Sequence, residues 1–134
     1  MRWAMVCVIR VSSAFVGAFT FKNRIGCPLA PPVYTPSRNN SGNLAYENGA
    51  DGIIANPGST VSGNTSYRNG SDGITALDGC LVQRNTLRNN TGYGLNLGLN
   101  AAYRENVITV NKTGTVAFGF NMGSNFCGSD DTCP

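Results

Sequence analysis

Histidine is absent from the 134-residue sequence. With it go the commonest general base near neutral pH and the commonest transition-metal ligand. Charged residues are also scarce, at 13%, so solubility must come from Asn, Ser, Thr and Gly. Five cysteines leave at least one unpaired, and no two have the C-x-x-C spacing of a zinc or dithiol site. Acidic residues are missing before Glu47, while Arg2, Arg10, Lys22 and Arg24 lie ahead of residue 38. From Arg38 onward six basic side chains meet seven acidic ones, so that part of the chain is nearly neutral. It carries no field for holding phosphates, and nucleic acid is excluded as a partner. Good helix formers are few among 17 glycines, which disfavours a helical bundle and suits short strands joined by tight turns.

The length suits one domain, and a change of texture divides it into residues 1–37 and 38–134. Residues 3–21 are apolar but interrupted by Arg10, too broken for a firm membrane span. They read as a secretory signal, as a cap over a solenoid end, or as an irregular leader from a misassigned start. A proline-rich link at 28–36 follows and is expected to hold no regular structure.

From residue 41 a 21-residue repeat begins, in register at 41–61, 62–82, 83–103 and 104–124. Asn43, Asn64, Asn85 and Asn106 share one column; Asn48, Asn69, Asn90 and Asn111 share another. Gly52, Gly73 and Gly94 form a third, broken by Thr115. Apolar columns run Ile53, Ile74, Leu95, Val116 and, two residues on, Ala55, Ala76, Leu97, Phe118. Two more are Ala45, Ser66, Leu87, Ile108 and Val61, Val82, Tyr103.

Positions i and i+2 of a strand face one side, so the paired apolar columns point together into a core. Identical coils stack about 4.8 Å apart, and asparagines stacked at that spacing can bond amide to amide. A leucine-rich repeat fails because positions matching Leu95 and Leu97 include Ala76, and a left-handed β-helix needs a six-residue period. The expected fold is therefore all-β: a right-handed parallel β-helix of about four to five coils, with an irregular N-terminal segment. Its two ends would expose sheet edges, so end-to-end self-association is expected unless they are capped.

The segments at 48–53 and 69–74, the Gly63-Asn64-Thr65 step and the ending with Asn125, Cys127, Cys133 and Pro134 resemble bacterial right-handed parallel β-helix repeat proteins of the pectate-lyase-like superfamily. The resemblance implies a fold rather than one activity, since that superfamily holds lyases, hydrolases, epimerases, adhesins and non-catalytic modules. It also implies acidic calcium ligands with an Arg or Lys base in the lyases. No such cluster stands here, so no catalytic residue carries over, and no cofactor or metal is expected.

Asp51 and Asp72 share a column and are the only candidates for catalysis, at a separation near that of a retaining glycosidase pair. Each precedes a glycine, where an Asp instead caps local backbone N–H groups. Tyr46, Tyr67 and Arg88 form an outward column beside Glu47, Arg68 and Asn89. With Arg68 they are the candidate ligand-binding residues, a flat platform for a sugar ring or an acidic polysaccharide, or else a ladder that only stabilises the sheet. Arg84 and Arg104 would extend a basic strip. Cys127 and Cys133 are placed to form a disulfide, which implies an oxidising compartment, while Cys80, in a column with Ser59, Ala101 and Met122, reads as a packed thiol. Sequons at Asn39, Asn64, Asn69, Asn89 and Asn111 arise from the repeat, and glycosylation on a ladder would conflict with the fold. The expected function is a secreted or cell-surface module, structural or weakly glycan-binding and without catalysis. The alternative is a fragment of a polysaccharide lyase or hydrolase whose groove lies elsewhere. A Thr row for ice binding is too short, since Leu44 and Val107 flank Thr65 and Thr86.

Overall fold

The structure, a computed structural model, describes residues 39–128, the strands at 20–22 and 33–35, and residues 133–134. Strands β1 (Thr20–Lys22), β2 (Val33–Thr35) and β3 (Asn39–Ser41) come first. Next are β4 (Leu44–Tyr46), β5 (Ile53–Ala55), β6 (Thr60–Ser62), then β7 (Thr65–Tyr67), β8 (Ile74–Ala76), β9 (Leu81–Gln83). The pattern repeats in β10 (Thr86–Arg88), β11 (Tyr93–Leu97), β12 (Ala102–Arg104), then β13 (Val107–Thr109), β14 (Gly114–Ala117), β15 (Phe120–Asn121), and β16 (Phe126–Gly128) follows. Every third strand pairs in parallel, giving three sheets in the orders β1-β4-β7-β10-β13-β16, β2-β5-β8-β11-β14 and β3-β6-β9-β12-β15. We call them sheets A, B and C. This is a parallel β-solenoid of about four turns with 21-residue spacing, and no helix occurs among the described residues.

The three-residue strands follow from the alternation of side chains. In sheet A the central residue faces inward, stacking Ala45, Ser66, Leu87, Ile108 and Cys127. Sheet B turns its outer two inward, Ile53 with Ala55 and Ile74 with Ala76, and sheet C buries Val61, Val82 and Tyr103. The core is the column enclosed by these three rows.

Corners are made by residues in the left-handed region. Between sheets C and A stand Gly42, Gly63, Arg84, Glu105 and Ser124, with φ from 55° to 68°. Between A and B stand Glu47, Arg68, Asn89 and Val110, with φ from 52° to 56°. The residue after each corner in the first four coils is a ladder asparagine. Asn64 Nδ2 donates to Asn85 Oδ1 at 3.0 Å, and Asn85 Nδ2 donates to Asn106 Oδ1 at 3.0 Å. The second ladder runs Asn48, Asn69, Asn90, Asn111 with Nδ2–Oδ1 distances of 2.9 to 3.0 Å. The Oδ1 of Asn64, Asn69, Asn85, Asn90, Asn106 and Asn111 also accepts the backbone N–H of the preceding coil's asparagine, so one amide satisfies two donors, whereas the buried Oδ1 of Asn48, the first rung, has no partner among the described residues. Beside the second ladder, the Gly52, Gly73, Gly94 column is a steric requirement. A Cβ on Gly73 would lie 2.7 Å from Asn90 Nδ2 and 2.7 Å from the Gly94 carbonyl oxygen.

Three expectations need correction. The proline-rich link does contain a strand, β2, but as the terminal strand of sheet B among the described residues, a position that tolerates proline. The fourth coil does not keep the 21-residue register throughout. Leu95 still pairs with Val116, but Ala102 pairs with Phe120, three residues short of the period. Phe118 therefore leaves the core column: it lies at φ 60° and is 67% exposed. For the same reason Met122 is exposed instead of stacking on Cys80 and Ala101. The first Asn ladder survives the slip by continuing to Asn125, which accepts from Asn106 Nδ2 at 3.1 Å. Residues 1–19, with Cys7, lie outside the described residues, as do Cys27, Asp130 and Asp131.

Candidate functional site

Sheet A presents the expected outward column. Tyr46, Tyr67 and Arg88 end three successive strands and pair directly across β4, β7 and β10. The rings of Tyr46 and Tyr67 stack with centroids 5.1 Å apart and planes 7° from parallel. On the other side of Tyr67, the Arg88 guanidinium sits 5.3 Å from the ring centroid. Both faces of the Tyr67 ring are thus occupied by neighbours in the column, and what it turns outward is its edge and hydroxyl. A sugar cannot lie flat on it as the sequence suggested. The stack itself is worth about 0.5–1.5 kcal/mol beyond area burial, and the cation–π contact adds a similar amount.

Arg68 does not join this column. It occupies the next corner, at φ 56°, with its Nη1 3.7 Å from the Glu47 carboxylate in the preceding coil. At the opposite corner, Arg84 Nε donates to Glu105 Oε2 at 2.6 Å, and Arg104 Nε donates to Gln83 Oε1 at 2.9 Å. The hydrogen bond and charge of Arg84 hold the exposed Glu105 carboxyl below its ordinary value. Arg84 and Arg104 are therefore engaged with neighbouring coils rather than forming an open basic strip. The opposite charges of residues 84 and 105, one period apart, are the signal that the sequence offered for this pair.

Asp51 and Asp72 form a carboxylate ladder between coils. Asp51 Oδ1 accepts the backbone N–H of Asp72 at 3.0 Å, and its Oδ2 accepts the Thr75 hydroxyl at 2.9 Å. Asp72, 8% exposed, accepts the N–H of Tyr93 at 2.6 Å and Asn96 Nδ2 at 2.8 Å. The capping role expected of these residues is present but reaches the next coil rather than the local turn. Each carboxylate thus accepts one coil-to-coil hydrogen bond on each of its two oxygens. Among the described residues no group of three His, Cys, Asp or Glu is placed to hold a metal ion.

The C-terminal cysteines are joined, Cys127 to Cys133. Cys133 packs on the core, its carbonyl accepts Asn121 Nδ2 at 3.1 Å, and the Tyr103 hydroxyl donates to the Pro134 carbonyl oxygen. This tail lies over the end of the core at Tyr103, whose phenol is pushed above its usual value by burial. Nothing in the sequence linked Tyr103 to the tail. Cys80 is buried, with its thiol 3.1 Å from the Asn56 carbonyl oxygen, and burial raises its pKa. No helix is long and apolar enough to cross a membrane among the described residues. No protein family, curated protein or solved structure matches the chain.

Proposed function

We propose that this chain is a non-catalytic β-helix module of the pectate-lyase-like kind, bacterial, secreted or displayed at the cell surface, structural and weakly glycan-binding. The observation that supports the absence of catalysis is the engagement of both oxygens of Asp51 and of Asp72 in coil-to-coil hydrogen bonds. The disulfide between Cys127 and Cys133 supports an oxidising compartment. Glycan contact runs along the outer face of sheet A, where the edges of Tyr46 and Tyr67 and the exposed Arg88 offer hydroxyls and a guanidinium at strand spacing. Those groups bind a sugar by its hydroxyls or carboxylates, not by ring stacking, and edge contacts of this kind give low affinity.

A glycan array tests the reading. Weak binding to acidic or neutral glycans, lost in Tyr67→Ala and reduced in Arg88→Ala, is the expected result, and binding to no glycan at all removes the glycan part. Turnover of polygalacturonate or alginate that disappears in Asp72→Asn would overturn the non-catalytic reading in favour of a lyase or hydrolase fragment.

A further inference from the structure

The sequence has 5 tyrosines, and the fold sets two of them apart from the others. Tyr103 is fully buried, with its hydroxyl donated to the Pro134 carbonyl oxygen. Tyr93 has Asp72 and Gly114 as its column neighbours, and Tyr34 is in register with Ile54. Tyr46 and Tyr67 instead occupy successive coils and pair directly across β4 and β7. Their ring centroids are 5.1 Å apart and their planes 7° from parallel. The column holds no third ring, since Lys22 is in register beyond Tyr46 and Arg88 covers the far face of Tyr67. Both tyrosines are half-buried on the outer side of sheet A, so the stack is open to an oxidant in solvent. With their backbones in register and their planes nearly parallel, the two rings point the same way. The carbon beside one hydroxyl therefore faces its counterpart at about one strand spacing.

We propose that Tyr46 and Tyr67 form an oxidative cross-linking site, joined ring to ring as dityrosine by a haem peroxidase with hydrogen peroxide. Each phenol gives up one electron and one proton, which leaves unpaired spin on the carbons ortho to its oxygen. One ortho carbon of each ring then joins the other in a new carbon–carbon bond, and the hydrogen each carried passes to its own phenol oxygen. The peroxide takes up the two electrons and two protons and leaves as two waters. Rings held in contact meet at an effective concentration of mM or above, so at about 10 µM protein coupling within the chain outruns coupling between chains by about a hundredfold. The bond ties β4 to β7 covalently, whereas the Cys127–Cys133 disulfide lies at the opposite end of the stack. It needs no sugar, and it holds or fails independently of the glycan reading.

Treating the full chain at that concentration with haem peroxidase and equimolar hydrogen peroxide tests the site. The blue fluorescence of the biphenol should appear while the chain stays monomeric on a denaturing gel. Glu47 and Asp51 lie between the two tyrosines, so a protease that cuts after acidic residues separates them. Mass spectrometry should then find the two peptides joined, with two hydrogens lost. Tyr46→Phe and Tyr67→Phe keep both rings but remove one phenol, and each should lower the yield about a hundredfold, to that of encounters between chains. Tyr93→Phe should leave it unchanged. A parent without the joined pair, a main product that links separate chains or other tyrosines, or undiminished fluorescence in Tyr67→Phe would each overturn the proposal.

Discussion

Replacing Gly73 with alanine should destabilise the protein far more than the same change at Gly58. At Gly73 the new methyl would stand 2.7 Å from the carbonyl oxygen of Gly94 and 2.7 Å from Asn90 Nδ2, with Leu87 Cδ2 at 3.2 Å. Ordinary contact begins at 3.4 Å, so one coil must move by about 0.7 Å against a close-packed neighbour. The oxygen belongs to the backbone of β11 and the amide to the buried ladder, so neither is a flexible tip. Overpacking of this sort costs about 1–3 kcal/mol, and a weakened Asn90 bond about 1 kcal/mol more. The sum is about 2–4 kcal/mol, or a fall in Tm of about 8 °C or more for a domain of this size. At Gly58, φ is +72° and nothing lies within 4 Å of an added Cβ. Only left-handed strain of about 1–2 kcal/mol applies there. Both changes stiffen the unfolded chain equally, so that contribution cancels in the comparison. Urea titration followed by circular dichroism reads the two differences directly. If Gly73→Ala loses no more stability than Gly58→Ala, the steric argument for the glycine column is refuted.

Val110 is a β-branched residue at φ 52°, 73% exposed, in a corner column whose other members are Glu47, Arg68 and Asn89. Val110→Asn should therefore raise stability by about 0.5–1 kcal/mol, and a lower Tm would contradict the strain reading. Burial raises the thiol pKa of Cys80 above the usual 9.0, so the folded state favours the protonated form. Its contribution is complete below pH 9.0 and is lost as pH rises through the folded value; Cys80→Ala should flatten the stability profile in that alkaline range. Cys133→Ser opens the loop closed at a separation of 6 and should cost about 2 kcal/mol by chain entropy. It should also return the Tyr103 phenol toward its usual pKa of 10.0, visible in an absorbance titration at alkaline pH; an unchanged titration would mean the tail does not shield it.

The solenoid was legible because its physics is periodic. Asparagines and apolar residues recur every 21 positions, and stacking converts recurrence in sequence into neighbours in space. Three things were hidden for physical reasons. Left-handed corners fall on Glu47, Arg68 and Arg84, residue types that carry no turn signature. The slip in the fourth coil shortens the turn by three residues at sheet C and by two at the following sheet A strand without disturbing Asn106 and Asn111, so the columns look continuous through Phe118. The stacking of the rings was the third: a shared column placed Tyr46 and Tyr67 together, but periodicity says nothing about which way a ring faces. Asp51 and Asp72 show the complementary limit, since their partners Thr75 and Asn96 lie 24 residues away, three beyond the period.

The central claim is that the recurring polar residues are consumed in holding coil to coil. Hydrogen exchange of side-chain amides by nuclear magnetic resonance tests it most directly. The Nδ2 protons of Asn64, Asn69, Asn85 and Asn90, each donated to the next coil, should exchange as slowly as the core backbone amides. Those of the exposed Asn89, in the same stretch of sequence, should exchange at the rate of a free amide. Ladder amides that exchange as fast as Asn89 would contradict the account.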